Sequence, residues 1–121
     1  MKIAIPMDSD KISQHFGRCQ YFLIINLDDN KEIKDTKVVK NKPCDGKGHG
    51  KSVKILLDEK IDGAICINIG KNSIENLSKK GVKIYRCHCD DVDKCIELFI
   101  NGQLDEILTK ENKISNGDNN D

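Results

Sequence analysis

The sequence predicts an α/β domain built on a five-stranded mixed sheet of order 3-2-1-4-5, with helices on its faces and strand 2 antiparallel. Three observations predict it. Three apolar runs of strand length stand at the start, the second and third separated only by a turn. From about residue 50 onward, strand-length runs alternate with segments whose apolar residues repeat at helical spacing. The run Gly63-Ala64-Ile65-Cys66-Ile67-Asn68-Ile69-Gly70 is apolar almost throughout, as suits a central parallel strand covered on both faces.

Lys2-Ile3-Ala4-Ile5-Pro6 reads as a short buried strand ended by Pro6, and Met7 to Cys19 as a loop. Tyr21 to Leu27 is the second strand, closed by the turn Asp28-Asp29-Asn30. Ile33 to Lys40 is the third, with Val38 and Val39 as its apolar part, and the short turn makes these two a hairpin. Asn41 to Gly50 is a glycine-rich loop. A helix over roughly 50 to 60 follows, with Val53, Leu56 and Leu57 on one face and the Lys60 stem along its edge.

Gly63 to Gly70 is the fourth strand. Asn72 or Ser73 then caps a second helix that turns Ile74 and Leu77 inward and stops at Gly81. Val82 to Arg86 is the fifth strand, followed at once by Cys87-His88-Cys89. Asp90 or Asp91 caps a third helix, whose Val92, Cys95, Ile96 and Phe99 fall at i, i+3, i+4 and i+7. Gly102 ends it, and Leu104, Ile107 and Leu108 are read as one further turn. Residues 1–108 form a single domain in this reading, and 109–121, rich in Asn, Asp and Lys, a disordered tail.

Strand order follows from connection rules. Strand 3 lies beside 2, and 2 beside 1. A right-handed crossover then puts strand 4 on the other side of 1, with 5 beside 4. Ligands of such sheets bind beyond the carboxyl ends of the strands. That edge is expected to collect the loop with His15, Gly17, Arg18 and Cys19, the loop with Cys44, Gly48, His49 and Gly50, the turn at Gly70, and Cys87-His88-Cys89. Thiolate and imidazole are the ligands of iron–sulfur clusters, zinc and copper(I). Glycines let backbone N–H groups face an anion, with Arg18 or Lys47 to pair its charge. Cys66, inside a buried strand, and Cys95, on an apolar helix face, read as core.

Composition narrows the classes. Lys plus Arg and Asp plus Glu both number 20, so net charge points to no partner. The chain lacks a basic block interleaved with aromatics, which counts against nucleic-acid binding. No apolar run approaches the roughly 20 residues of a membrane helix. The chain opens on a strand without a signal-peptide pattern, so a cytoplasmic setting is expected, where disulfides are rare. Six cysteines in such a chain read as core thiols or as metal or redox ligands. Asp45 to Ser52 approaches the phosphate-binding G-x-x-x-x-G-K-[ST], but Asp45 replaces the first glycine and sets a negative charge beside the phosphates. The dinucleotide fingerprint fails at Lys51, and a nucleophile elbow is absent from the sequence.

The opening M-K-I-A-I-P, the segment S-Q-H-F-G-R-C-Q-Y-F, the G-H-G before the first helix and the I-N-I-G before the second resemble the dinitrogenase iron–molybdenum cofactor biosynthesis family, over about Met1 to Leu104. The resemblance implies a ribonuclease-H-like three-layer α/β/α fold. It implies binding of iron–sulfur or iron–molybdenum type clusters, carried or inserted without turnover, with cluster donor and recipient proteins as partners. His15 and His49 fall on the family's recurrent histidines, and Gly17, Gly48, Gly50 and Gly70 on its recurrent glycines. Cys87-His88-Cys89 departs from the usual pattern, which is glycine-rich there and lacks paired cysteines, and marks a subgroup with its own metal or cluster.

The expected function is therefore non-enzymatic carriage or storage of such a cluster, with ligands drawn from His15, Cys19, Cys44, His49, Cys87, His88 and Cys89. These exceed the needs of one site, so some are spectators. Two alternatives use the same scaffold: a zinc- or copper-binding or thiol-redox protein with Cys87 and Cys89 as the reactive pair, and a metal-free regulatory module that binds a partner or small anion at the glycine loops.

Overall fold

Ile3-Ala4-Ile5 places apolar side chains on successive positions, so both faces of the first strand must be covered. The computed structural model, which describes residues 1–41 and 51–107, builds the sheet around that strand. In chain order the elements are β1 (Lys2–Asp8), β2 (Lys11–Ile12), β3 (Tyr21–Leu27), β4 (Ile33–Lys40), α1 (Lys51–Asp58), β5 (Gly63–Cys66), α2 (Lys71–Lys79), β6 (Lys83–Arg86), α3 (Val92–Ile100) and β7 (Asp105–Ile107). The sheet runs β4-β3-β1-β5-β6-β7, and β2 pairs with β1 off this path. β3 is antiparallel to both β1 and β4, β5 is parallel to β1 and β6, and β7 is antiparallel to β6.

The side-chain alternation of β1 sorts the core into two layers. Ala4 joins Phe22, Ile24, Ala64, Cys66 and Ile84 on the face covered by α1 and α2, which contribute Val53, Leu56 and Leu77. Ile3, Ile5 and Met7 join Ile25, Leu27 and Ile65 on the face covered by α3, which contributes Cys95, Ile96 and Phe99. Helices therefore cover the sheet on both sides.

Among the described residues the sheet has seven strands, where the sequence predicts five. Both additional strands are short and nearly without apolar pattern. β2 lies inside the expected loop of Met7 to Cys19; Ser9 turns the chain at φ 56° and Ile12 is its one buried residue. β7 replaces the expected helical turn at Leu104 and Ile107; Leu108 lies outside the described residues. Gly102, at φ 72°, reverses the chain, and Ile107 then pairs with Ile84 of β6. The three-residue spacing of Leu104 and Ile107 imitates a helix, but the two side chains are half-buried on opposite faces of the sheet, Leu104 on the α3 side and Ile107 on the side of α1 and α2.

Pro6 does not end the first strand, which continues to Asp8. Its carbonyl accepts from the Ser13 amide at 2.8 Å, on the side away from β3, and its nitrogen points the same way. The missing N–H therefore costs the β1–β3 ladder nothing. The fourth strand is shorter than expected, ending at Cys66. Asp91 caps α3, its carboxylate accepting from the Lys94 amide at 3.2 Å, whereas α2 starts at Gly70 without a side-chain cap.

Gly63 opens β5 where three elements meet. A Cβ there would lie 3.0 Å from Ile3 Cδ1 and 3.3 Å from the Lys83 carbonyl. The backbone neighbour cannot swing aside, so Gly63→Ala should destabilise the fold by about 1–3 kcal/mol through overpacking. Urea unfolding followed by circular dichroism measures this; an unchanged midpoint would contradict the close packing of β1, β5 and β6.

Candidate metal centre

β6 delivers the first sulfur. The chain leaves it at Arg86, and Cys87 continues alongside β5, its amide donating to the Cys66 carbonyl at 2.8 Å. The following turn is held from outside by β2: the Ile12 amide donates to the Asp90 carbonyl at 2.9 Å. Asp91 then starts α3, and the first turn of that helix returns Cys95 to the same spot, its amide bonded to the Asp91 carbonyl at 3.0 Å. A strand end, a tethered turn and a capped helix thus converge on one point.

The sulfurs of Cys87, Cys89 and Cys95 lie within 4.8 Å of one another. Cys89 Sγ stands 3.6 Å from Cys95 Sγ and 4.0 Å from Cys87 Sγ. Cys87 and Cys95 approach to bonding distance as a disulfide, with their Cα atoms 6.3 Å apart. These two are buried beneath the α3 face, and Cys89 is half-buried. Three soft donors converging this closely fit zinc, copper(I) or an iron–sulfur cluster, and fit magnesium or calcium poorly.

The remaining expected ligands divide. Cys19 lies on the opposite face of the sheet, in the core with Phe16, Phe22 and Val53. Burial pushes its thiol up to about 12 from an ordinary 9.0. Its place between ligand and core is resolved toward core, because α1 and β4 close over it. Asn41, at the end of β4, donates to the carbonyls of Cys19 and Gly17 at 2.9 and 3.2 Å. Ser52, in the first turn of α1, donates to the Asn41 side-chain oxygen at 3.1 Å. This buried pair fixes the loop after β1, which Phe16 plugs by packing on Phe22, ring centroids 5.4 Å apart. His15 and Arg18 are exposed on that loop; Ser13 Oγ accepts from the His15 amide at 3.0 Å. Gly70 is exposed at the start of α2.

His88 stands apart from the sulfurs. Its side chain is 73% exposed, with Nε2 3.8 Å from an Asp105 carboxylate oxygen. Cys44, Gly48, His49 and Gly50 lie outside the described residues, as does the tail of 109–121. Cys66 is core as expected, its thiol also pushed up to about 12 by burial, against the opposing charge of Arg86.

Cys95 is the correction that matters most. The helical pattern predicts plain core, and Cys95 is buried, yet its sulfur stands with those of Cys87 and Cys89. The signal was present as Cys-x-Cys-x-x-x-x-x-Cys, with an aspartate cap between the second and third cysteines. A position one turn into a capped helix faces back toward the residues that precede the cap. The match of Cys95 to the apolar stripe of α3 concealed this.

The family model described as dinitrogenase iron-molybdenum cofactor matches residues 1–102, nearly the whole described domain. The chain belongs to this family. An uncharacterised protein of Methanocaldococcus jannaschii, MJ0327, is 48% identical over 107 residues, spanning 88% of this chain and 94% of its own length. The crystal structure of that protein superposes with a TM-score of 0.76 at 43% identity, covering 90% of this chain and 96% of that one. A Thermotoga protein described as NifB-type superposes at 0.72 with 33% identity, covering 91% of this chain and 97% of its own. The apo form of the orange protein from Desulfovibrio gigas shares the fold at 0.74, with 16% identity and coverage of 89% and 93%.

Two outcomes follow for the face opposite the sulfurs. Thiols whose pKa is raised on folding stabilise the fold fully below 9.0, the unfolded value, and lose that contribution as pH climbs toward about 12. Stability should fall between these values by up to about 1.4 kcal/mol per pH unit for each thiol. Urea midpoints across that range, compared with Cys66→Ala, isolate the term: the slope should be shallower in the variant. Asn41→Ala leaves the buried Cys19 carbonyl without its side-chain donor and removes one of two side-chain donors to the Gly17 carbonyl, Ser52 Oγ keeping the other at 3.2 Å. It should cost about 1–3 kcal/mol in the same assay, and protease cleavage should rise at the loop of His15.

Proposed function

We propose that this chain binds an iron–sulfur or iron–molybdenum type cluster as cargo and carries it between a donor and a recipient protein, without catalysing turnover. The observation that carries the reading is the convergence of the Cys87, Cys89 and Cys95 sulfurs within 4.8 Å, in a chain of the iron–molybdenum cofactor family. The two helical layers about a sheet with an antiparallel β3 favour a ribonuclease-H-like layout, whose strand-end edge is where such cargo sits.

Carriage asks for a site that holds its cargo and also lets it go. Three protein sulfurs leave a cuboidal cluster or a tetrahedral ion with one position open to an incoming ligand. Cys89 is the half-buried member, so exchange proceeds from its side while Cys87 and Cys95 hold from beneath. Cys87 and Cys95 come from a strand end and a helix turn, elements that keep their spacing without the cargo, and Cys89 from the tethered turn between them. When bound, the cluster supplies the electron-transfer or cofactor-precursor chemistry; this chain supplies thiolate donors and exclusion of water by the α3 face.

A second reading has its own support. The closeness of Cys87 and Cys95 favours dithiol chemistry, and moves the reactive pair from the expected Cys87 and Cys89 to Cys87 and Cys95.

Reconstitution of the reduced protein with iron and sulfide under anaerobic conditions should give a sulfur-to-iron charge-transfer band in the visible. Elemental analysis should show iron bound. The triple variant Cys87→Ser, Cys89→Ser, Cys95→Ser should lose the band. Retention of the band in that variant would move the site elsewhere. Zinc alone in anaerobically purified protein, with no band after reconstitution, would replace cluster carriage by a zinc site.

A further inference from the structure

The three sulfurs differ in access, and that difference assigns them separate roles. Cys87 and Cys95 are 1% and 0% exposed, whereas Cys89 is half-buried. Cys89 Sγ lies 3.6 Å from one buried sulfur and 4.0 Å from the other, so it can reach both without a change of fold. The Cα atoms of Cys87 and Cys95 are 6.3 Å apart, inside the range that a disulfide spans. The reduced state is provided for as well. The Cys89 carbonyl lies 3.1 Å from Cys87 Sγ and 3.6 Å from Cys95 Sγ, so one backbone oxygen is placed to accept from either sulfur once the bond opens and that sulfur is protonated. The same atoms thus accommodate a disulfide and a dithiol.

We infer that Cys89 is the exchange thiol of a thiol–disulfide relay that opens and closes the Cys87–Cys95 bond, and that closing the bond withdraws the metal site. The second clause rests on the carrier reading given above; the first does not.

The relay balances with a small-molecule disulfide as oxidant. The Cys89 thiolate attacks one sulfur of that disulfide, breaking its S–S bond and releasing one thiolate. The Cys95 thiolate attacks the Cys89 sulfur, forming a Cys89–Cys95 bond and releasing the second small thiolate. The Cys87 thiolate then attacks the Cys95 sulfur, leaving Cys87 bonded to Cys95 and Cys89 free once more. Two protein thiols are oxidised, and their two electrons and two protons leave with the small molecule as two thiols. A small thiol drives the reverse sequence. An external reagent would otherwise have to reach sulfurs that the α3 face covers, so exchange through Cys89 is the accessible route. Oxidation takes two of the three donors, and the Cys89 thiol alone cannot hold a cluster.

The full chain, reduced and desalted without oxygen, is incubated with oxidised glutathione as the probe, quenched with an alkylating agent and mapped by mass spectrometry. A linked Cys87–Cys95 peptide and an alkylated Cys89 are expected. In Cys89→Ser the same bond should form about tenfold more slowly or worse, with circular dichroism reporting whether the variant is folded. The double variant Cys87→Ser, Cys95→Ser provides an arm that does not depend on that variant: with neither neighbouring sulfur left to displace it, glutathione should be trapped on Cys89. Iron and sulfide should load the reduced protein and not the oxidised one, with loading restored by dithiothreitol. Absence of the Cys87–Cys95 linkage, oxidation of folded Cys89→Ser at the wild-type rate, or equal loading of both forms overturns the inference. If the reduced protein takes up no iron while the exchange kinetics hold, the carrier reading fails and the relay stands.

Discussion

Burial of β1 on both faces is the constraint from which the rest of this structure follows. Ile3, Ala4 and Ile5 are at most 2% exposed, so the strand has no solvent side. Such a strand needs a neighbour on each edge and a layer on each face. The hairpin of β3 and β4 supplies one edge, and β5, returning through α1, supplies the other. Because β5 and β6 run parallel to β1, their carboxyl ends come to the same margin of the sheet. The locations of the His15 loop and of the turn through Cys87 and Cys89 thus follow from three apolar residues near the start of the chain.

That margin is divided by the sheet itself. On the α1 and α2 side, a buried polar pair, Asn41 and Ser52, ties the loop of His15 to the end of β4 and the start of α1. On the α3 side, three sulfurs meet. Two tethers cross between the loops: the Ile12 amide on the Asp90 carbonyl, and the Asn68 side chain on the Gln14 carbonyl at 3.3 Å. The short β2 is consequently more than an ornament of the loop. It joins the histidine segment to the turn that carries the sulfurs through a backbone hydrogen bond.

Much of this was legible in the residues, and the parts that were not share a physical cause. Four of the five longer strands and the three helices carry their signal in apolar periodicity, which burial enforces; β4, exposed along nearly its whole length, is placed by the short turn after β3. β2 and β7 have little of it; pairing of their backbones with strands already in place creates them, and Leu104 and Ile107 accordingly imitate a helix. Pro6 misled because its lack of an N–H matters only on the side facing a ladder, and the side it faces depends on register. The sulfur cluster was half legible. Cys87 and Cys89 stood out because a strand end has no need of two thiols, whereas Cys95 satisfied a core pattern and a ligand pattern together. Cys19 gave the reverse case: suggestive company along the chain, but a register that turns it inward.

The contrast between Cys19 and Cys95 shows what separates a buried cysteine that only packs from one placed beside other sulfurs. Both are 0% exposed. Cys19 is surrounded by hydrocarbon and by Asn41, and desolvation holds it as a neutral thiol, inert as ligand and nucleophile. Cys95 has two other sulfurs within 4.8 Å, one of them on the route to solvent. Burial alone would make it equally inert. Proximity changes the available chemistry, because a neighbouring sulfur can share a metal or a bond with it and so remove the need to carry charge in the core. Depth then becomes an advantage, since it shields the shared metal or bond from solvent reagents and leaves Cys89 as the point of entry.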